Sequence, residues 1–66
     1  MFLKKVTVQT ANGNVTYENA RVVKPNTNDD VFGNLIENLR PEFEIVLSNG
    51  RHVAIEFNAV TEIVLR

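Results

Sequence analysis

The sequence predicts a β-dominated α+β fold, in which a strongly bent antiparallel sheet of about five strands carries one short helix. Three observations lead to this prediction. Apolar and polar residues alternate through most of residues 43–65, which is typical of half-buried strands. Asn-Gly steps, a strong signal of a tight hairpin turn, occur in both halves of the chain. Apolar residues recur with helical spacing between residues 31 and 40, so the predicted order of elements is ββαβββ.

The hairpin within residues 43–57 has a turn whose length follows from the apolar pattern. The two apolar rows must share one face of the sheet, because a slip of one residue would turn a row to solvent. A two-residue Asn49-Gly50 loop places the rows on opposite faces, whereas a three-residue loop pairs Ile45 with Val53. Such a loop is commonly a type I turn followed by a left-handed residue, so the sequence predicts Gly50 at positive φ. The rows consist of Phe43, Ile45 and Leu47 on one strand and Val53, Ile55 and Phe57 on the other.

A short corner and a final strand follow this hairpin. Residues 58–60 are too few to cross a sheet, and they predict a tight turn or one turn of 3₁₀ helix. Ile63 and Leu65 then continue the apolar face from a last strand. We expect this strand to lie at an edge of the sheet. Its only charges are Glu62 and Arg66, and an edge so weakly charged invites pairing with another chain.

The first hairpin has its own Asn-Gly step. Predicted strands at residues 3–10 and 15–23 flank Asn12-Gly13. A two-residue type I′ loop at this step keeps the apolar residues on one face and pairs Val8 with Tyr17.

The same register gives a poor core at the start of the first strand, because it places Val6 opposite Asn19. Leu3, Ala20 and Val22 fall on the opposite face. Either the strand bulges near Asn19 and switches face, or both faces of the sheet are partly covered. A bulge with strong curvature is what a small barrel requires.

The polar loop at residues 24–30 leads into the predicted helix at residues 31–40. Asn28 is a suitable N-cap, and Pro41 stops the helix. The apolar residues recur every three or four positions, so this stripe should lie on the sheet. The stripe consists of Val31, Phe32, Leu35, Ile36 and Leu39.

The second Asn-Gly hairpin, the short corner and the last strand together resemble SH3-like small β-barrels. The resemblance covers the last third of the chain. It implies a closed barrel in which residues 31–40 form an irregular loop insertion and not a helix. SH3-like barrels host many unrelated functions, so the resemblance implies no particular activity.

Length and composition indicate one small domain spanning residues 1–66. A chain of this length buries only about 60% of its unfolded surface, and such domains often depend on a disulfide, a metal or a partner. Cysteine is absent, which excludes disulfides and cysteine metal sites and favours oligomerisation. We expect no cofactor. Seven basic and eight acidic residues give a net charge of −1, too little to attract phosphate backbones strongly.

The sequence disfavours membrane proteins and enzymes. The first eight residues lack an apolar run after their lysines, and no apolar stretch approaches the roughly 18 residues that span a bilayer. We therefore expect a cytoplasmic protein without membrane contact. His52 is the only histidine, and no Ser, Thr or carboxylate is spaced to act with it in catalysis. We expect a non-enzyme in which His52 makes a weak cross-strand contact with Glu44.

The outer face of the C-terminal sheet carries the first candidate site. Val46, Ala54 and Val64 all point away from the predicted core and are surrounded by polar residues. An apolar centre with a polar rim is typical of a protein interface, although single exposed apolar residues are ordinary and the helix could cover this face. The sequence therefore predicts a non-catalytic interaction module. We expect it to self-associate through the C-terminal sheet as a dimer, or to bind another protein.

A cluster of basic residues gives an alternative function, a small nucleic-acid-binding β-barrel. The cluster falls on the first two strands, which are antiparallel neighbours, and Phe2 and Tyr17 are nearby aromatic residues. Basic residues beside aromatic ones suit single-stranded nucleic acid. The slightly acidic composition favours the interaction module. The basic residues are Lys4, Lys5, Arg21 and Lys24.

Overall fold

The computed structural model describes residues 1–25, 37 and 39–66. Over these residues the chain forms the strands β1 (Phe2–Thr10), β2 (Gly13–Lys24), β3 (Glu42–Val46), β4 (His52–Glu56) and β5 (Val60–Leu65), with a 3₁₀ turn at Phe57–Ala59. All neighbouring strands are antiparallel, and the order across the sheet is β4-β3-β2-β1-β5. The prediction of a β-dominated fold with a five-stranded antiparallel sheet is confirmed.

Two finer features of the predicted fold are not confirmed. The sheet is open, with β4 and β5 as its two edges among the described residues, so the closure of an SH3-like barrel is not observed. The predicted helix and its N-cap lie outside the described residues, apart from Glu37, Leu39 and Arg40, so the order ββαβββ stays a prediction. Leu39 is fully buried.

The hairpin formed by β3 and β4 has the predicted register and turn. Ile45 opposes Val53, which places both apolar rows on one face. The N–H of Leu47 donates to the carbonyl oxygen of Arg51 at 2.8 Å, and the N–H of Gly50 donates to the carbonyl oxygen of Leu47 at 2.9 Å. Gly50 has φ of 87°, so the prediction of positive φ at this residue is confirmed. The predicted 3₁₀ turn follows β4, beginning one residue earlier than expected.

The hairpin formed by β1 and β2 has a different register from the predicted one. Thr10 opposes Gly13, so the two residues between them form the loop and the predicted Asn-Gly loop is wrong. Tyr17 consequently opposes Val6 and not Val8. The difference is a slip of two residues. Such a slip keeps every side chain on its own face, so the alternation of apolar residues does not reveal it.

In each strand of this hairpin, the alternation of core-facing and outward-facing residues is interrupted once, and the two interruptions lie opposite each other. On β1, Leu3 and Val6 are fully buried although they are three residues apart. On β2, Ala20 is fully buried and Tyr17, also three residues away, packs against the core. Asn19 lies at the switch with φ of 55°, a left-handed conformation that Asn adopts more readily than most residues. Of the two alternatives that the sequence left open, the structure shows the change of face near Asn19, while the β1–β2 register continues without the predicted bulge.

The buried side chains form one apolar cluster, to which every strand except β5 contributes. Val60 and Ile63 of β5 are partly buried and pack against this cluster. Among the described residues, no helix has the length and apolar character needed to cross a membrane. The buried residues are Leu3, Val6, Val8, Ala20, Val22, Leu39, Phe43, Ile45 and Ile55.

Candidate interaction surface

Strand β5 is an edge of the sheet, as predicted. Within the described part of the chain it pairs with β1 alone, and Val64 opposes Lys5. The N–H of Arg66 donates to the carbonyl oxygen of Phe2 at 3.3 Å, so this backbone group faces β1. Backbone groups alternate in direction along an antiparallel strand, so those of Leu65 face away from the sheet. No described residue pairs with the outward-facing backbone of β5, which offers donors and acceptors to a further strand.

The side chains of β5 divide between the two faces of the sheet. Ile63 packs against the core, and by alternation Leu65 lies on the same face, where it is 43% exposed. Val64 lies on the outer face beside Lys5. Glu62 shares this outer face, and its Oε1 lies 3.0 Å from Nζ of Lys5. The edge thus presents an apolar row on one face and, on the other, a valine beside an ion-paired carboxylate.

The three residues of the predicted interface occupy two separate places. Val46 lies on β3 and Ala54 on β4, whereas Val64 lies on β5. Strands β2 and β1 stand between β3 and β5, a separation of about 14 Å at the usual spacing of strands. Ala54 is exposed, and Val46 is half-buried between Arg21 and His52 on its neighbouring strands. The structure brings Val46 and Ala54 together and places Val64 apart from them, while an interface role for each stays a prediction.

The basic residues of the alternative function are interleaved with carboxylates. Lys5 is ion-paired with Glu62, and Lys24 opposes Glu44. Arg21 lies on β2 between residues of β1 and β3. Neighbouring carboxylates weaken the attraction of these cations for phosphate. Lys4 and Lys5 line a groove of about 350 Å³ together with Glu18, Asn19 and Val64.

The hairpin at the opposite edge of the sheet carries three carboxylates, Glu42 and Glu44 on β3 and Glu56 on β4. Nδ1 of His52 lies 2.9 Å from Oε2 of Glu44, so the predicted cross-strand contact is confirmed. Glu42 opposes Glu56 on the same hairpin, which places like charges side by side. Within the residues that the structure describes, no group of three His, Cys, Asp or Glu side chains lies close enough together to hold a metal ion.

Phe2, which the sequence indicated only as an aromatic residue near the basic cluster, lies on the surface. It is 50% exposed and opposes Arg21 on β2. Leu3 is fully buried, and adjacent residues of a strand face opposite ways, so Phe2 must face solvent. The sequence signal for this exposure was the presence of two adjacent apolar residues, Phe2 and Leu3, at the start of β1, because only one of them can face the core.

Comparison of the chain with protein-family models, with curated proteins and with solved structures found no match. Its function must therefore be inferred from its own residues and geometry.

Proposed function

We propose that this protein is a non-catalytic, cytoplasmic interaction module that self-associates as a homodimer through the C-terminal strand of its sheet. The observation that carries the proposal is the outer edge of β5, which pairs with β1 alone among the described residues. An edge strand offers a row of backbone donors and acceptors to another strand. Proteins commonly blunt such edges with charge, and Glu62, the one charged residue within β5, is already ion-paired within the chain.

The size of the chain supports a stabilising partner. The sequence has 66 residues and no cysteine, so no disulfide reinforces its core. Domains of this size are marginally stable, and dimerisation adds buried apolar area without lengthening the chain. Leu65, which is 43% exposed on the core face of β5, is the apolar side chain that a partner at this edge would cover.

Solution mass, measured by light scattering coupled to size exclusion across a range of concentrations, tests this proposal. We expect a mass that approaches twice the 7.5 kDa of one chain as concentration rises. A mass that stays at that of one chain up to millimolar concentration would contradict self-association.

A pair of glutamate substitutions locates the contact. Val64→Glu should shift the protein towards monomer, because it places a second carboxylate beside Glu62 at the outer face of β5. Ala54→Glu is the matched control on exposed β4 and should leave the dimer unchanged. The reverse result would assign self-association to the surface around Val46 and Ala54. Circular dichroism of both variants establishes that the fold is retained.

The alternative, a nucleic-acid-binding module, has one specific observation in its favour. Phe2 is half-exposed opposite Arg21, and an aromatic side chain beside a guanidinium is a suitable platform for stacking an unpaired base. Retention of labelled single strands at low salt, lost at high salt and in Phe2→Ala, is the result that this alternative predicts. An absence of binding at low salt would remove it.

A further inference from the structure

We infer that two copies of the chain pair their β5 strands antiparallel about a two-fold axis at Val64, which joins both sheets into one. This inference rests on the proposed function, because it names the partner and the register of the proposed dimer. A two-fold contact is closed, so it yields dimers and not fibres.

The direction of the backbone groups permits this register. The N–H of Arg66 donates to β1. The β1–β5 register shifts between the levels of Leu65 and Val64, but the extra residue, Lys4, is on β1, so β5 itself alternates without an insertion and the backbone groups of Val64 also face β1. Those of Ile63 and Leu65 face the open edge. A two-fold axis at Val64 places Ile63 opposite Leu65 of the second copy, and the reverse pair follows by symmetry. These are the residues that have outward donors and acceptors to exchange.

The charges of the outer face are complementary in the same register. Glu62, Val64 and Arg66 alternate onto this face. The axis at Val64 brings Glu62 opposite Arg66 of the second copy, on both sides of the axis, with the two valines in contact between them. Opposite charges that face each other across strands stabilise the pairing. Glu62 is ion-paired through Oε1 to Lys5, which leaves Oε2 for the guanidinium.

The core face of the joined strands is apolar. Ile63 is half-buried and Leu65 is 43% exposed, so each has surface left to cover. In the inferred register Ile63 lies beside Leu65 of the second copy, and Leu65 lies beside Ile63 of the second copy. Pairing would therefore bury exposed apolar surface on one face while it matches charges on the other.

The edge at β4 fits a second copy less well. Glu42 and Glu56 already oppose each other there, and His52 is engaged by Glu44. Within β4, His52 is the one side chain that could oppose Glu56 of a second copy with positive charge, and it is already held by Glu44. The β5 edge is the one that matches its own copy.

Charge substitutions test the register, because two opposite charge reversals combined should restore the contact that each one alone disrupts. Glu62→Arg places the new guanidinium opposite Arg66 of the second copy. Arg66→Glu places the new carboxylate opposite Glu62 of the second copy. Each should raise the dissociation constant by roughly tenfold or more. An equimolar mixture of the two variants should dimerise again, because every contact in the mixed dimer then joins opposite charges. The double variant E62R/R66E should also recover the dimer.

Lys5→Gln is the matched control for these variants. It removes the ion pair with Glu62 inside the chain and leaves the inferred contact in place, so its dissociation constant should stay within about threefold of the original. If Glu62→Arg and Arg66→Glu dimerise as well as the original chain, or if their mixture does not recover, the register is wrong.

Cross-linking gives a second measurement that does not depend on charge. The chain has no cysteine, so Val64→Cys introduces a single thiol. In the inferred register the two thiols lie on directly opposed residues of a pair without mutual hydrogen bonds, at a Cα separation of about 4.5 Å that a disulfide can bridge. Under mild oxidation Val64→Cys should form a covalent dimer much faster than the control Ala54→Cys.

The possible results separate this inference from the proposed function. A monomeric original chain overturns both. A dimer that tolerates the charge substitutions, or that links faster through Ala54→Cys, leaves self-association standing and overturns pairing at β5. A mass above that of a dimer, as β4 pairing with β5 of the next copy would produce, also overturns the two-fold contact.

Discussion

The two hairpins of this protein carry similar Asn-Gly steps but close in different ways. In the β3–β4 hairpin, Gly50 is the last residue of a three-residue loop and the apolar side chains reach almost to the turn. In the β1–β2 hairpin, Gly13 lies just beyond a two-residue loop. The strand ends around that loop, at residues 9–16, are exposed. Both glycines have positive φ, 108° at Gly13 and 87° at Gly50, but Gly13 is the first paired residue of β2 whereas Gly50 precedes the paired residues of β4.

The difference teaches what an apolar pattern determines. Near the second turn, a slip of one residue would send a whole apolar row to solvent, so parity selects the loop length. Near the first turn, the competing registers differ by two residues and keep the same faces. The alignment of two face switches distinguishes them. In the observed register, the switch between Leu3 and Val6 lies directly opposite the switch between Tyr17 and Ala20.

The largest expected effect comes from the buried row of the second hairpin. Ile45 is fully buried, so Ile45→Ala should lower the free energy of unfolding by about 2–5 kcal/mol. Ile45→Val, at about 0.5–1.5 kcal/mol, keeps the measurement in range if the first variant does not fold.

Val15→Ala is the counterpart in the first hairpin. Val15 is 37% exposed near the loop, and its truncation should cost less than about 1 kcal/mol. Urea denaturation of both variants checks the contrast. Equal losses at Ile45 and Val15 would mean that the two hairpin ends contribute alike to the core.

The next effect concerns the turn glycine that parity located. A Cβ added at Gly50 would meet no atom within 4 Å, so Gly50→Ala should cost only the strain of a positive φ, about 1–2 kcal/mol. Gly50→Asn should recover part of this loss, because Asn tolerates the left-handed region. Thermal or urea unfolding measures both. A neutral Gly50→Ala would contradict the three-residue loop.

The smallest effect separates the two registers of the first hairpin. Asn19 has φ of 55°, whereas Asn12 is outside the positive-φ region that a type I′ loop would require of it. Asn19→Ala should therefore cost about 1 kcal/mol, and Asn12→Ala should be close to neutral. The opposite order of losses would restore the Asn-Gly loop that the sequence predicts.

Local pattern was sufficient for most of the strands and insufficient for their arrangement. Alternation identified the strands and parity identified the turn at Gly50, whereas the face switch near Asn19 was one of two alternatives that the pattern left open. The neighbour of β5 is β1, more than fifty residues earlier, and no local pattern encodes such a pairing. The sequence pattern placed Val64 in one surface with Val46 and Ala54 because it suggested that β5 lies next to the preceding hairpin.

The candidate site shows the same division. The sequence predicted that the last strand is an edge with few charges, and the contact between His52 and Glu44 followed from a correct register. The exposure of Phe2 and the pairing of Lys5 with Glu62 depend on how β1 lies between β2 and β5. Both features depend on the neighbours of β1 in the sheet, and β5 is distant from it in sequence.

Amide hydrogen exchange along β5, measured by NMR at about 20 μM and about 1 mM, tests the central claim most directly, because this range spans weak dimerisation. The backbone groups of Ile63 and Leu65 face the open edge, whereas those of Val64 face β1. Pairing of two β5 strands predicts that the exchange of Ile63 and Leu65 slows at the higher concentration by a larger factor than that of Val64. Rates at Ile63 and Leu65 that do not change with concentration would contradict the β5 dimer.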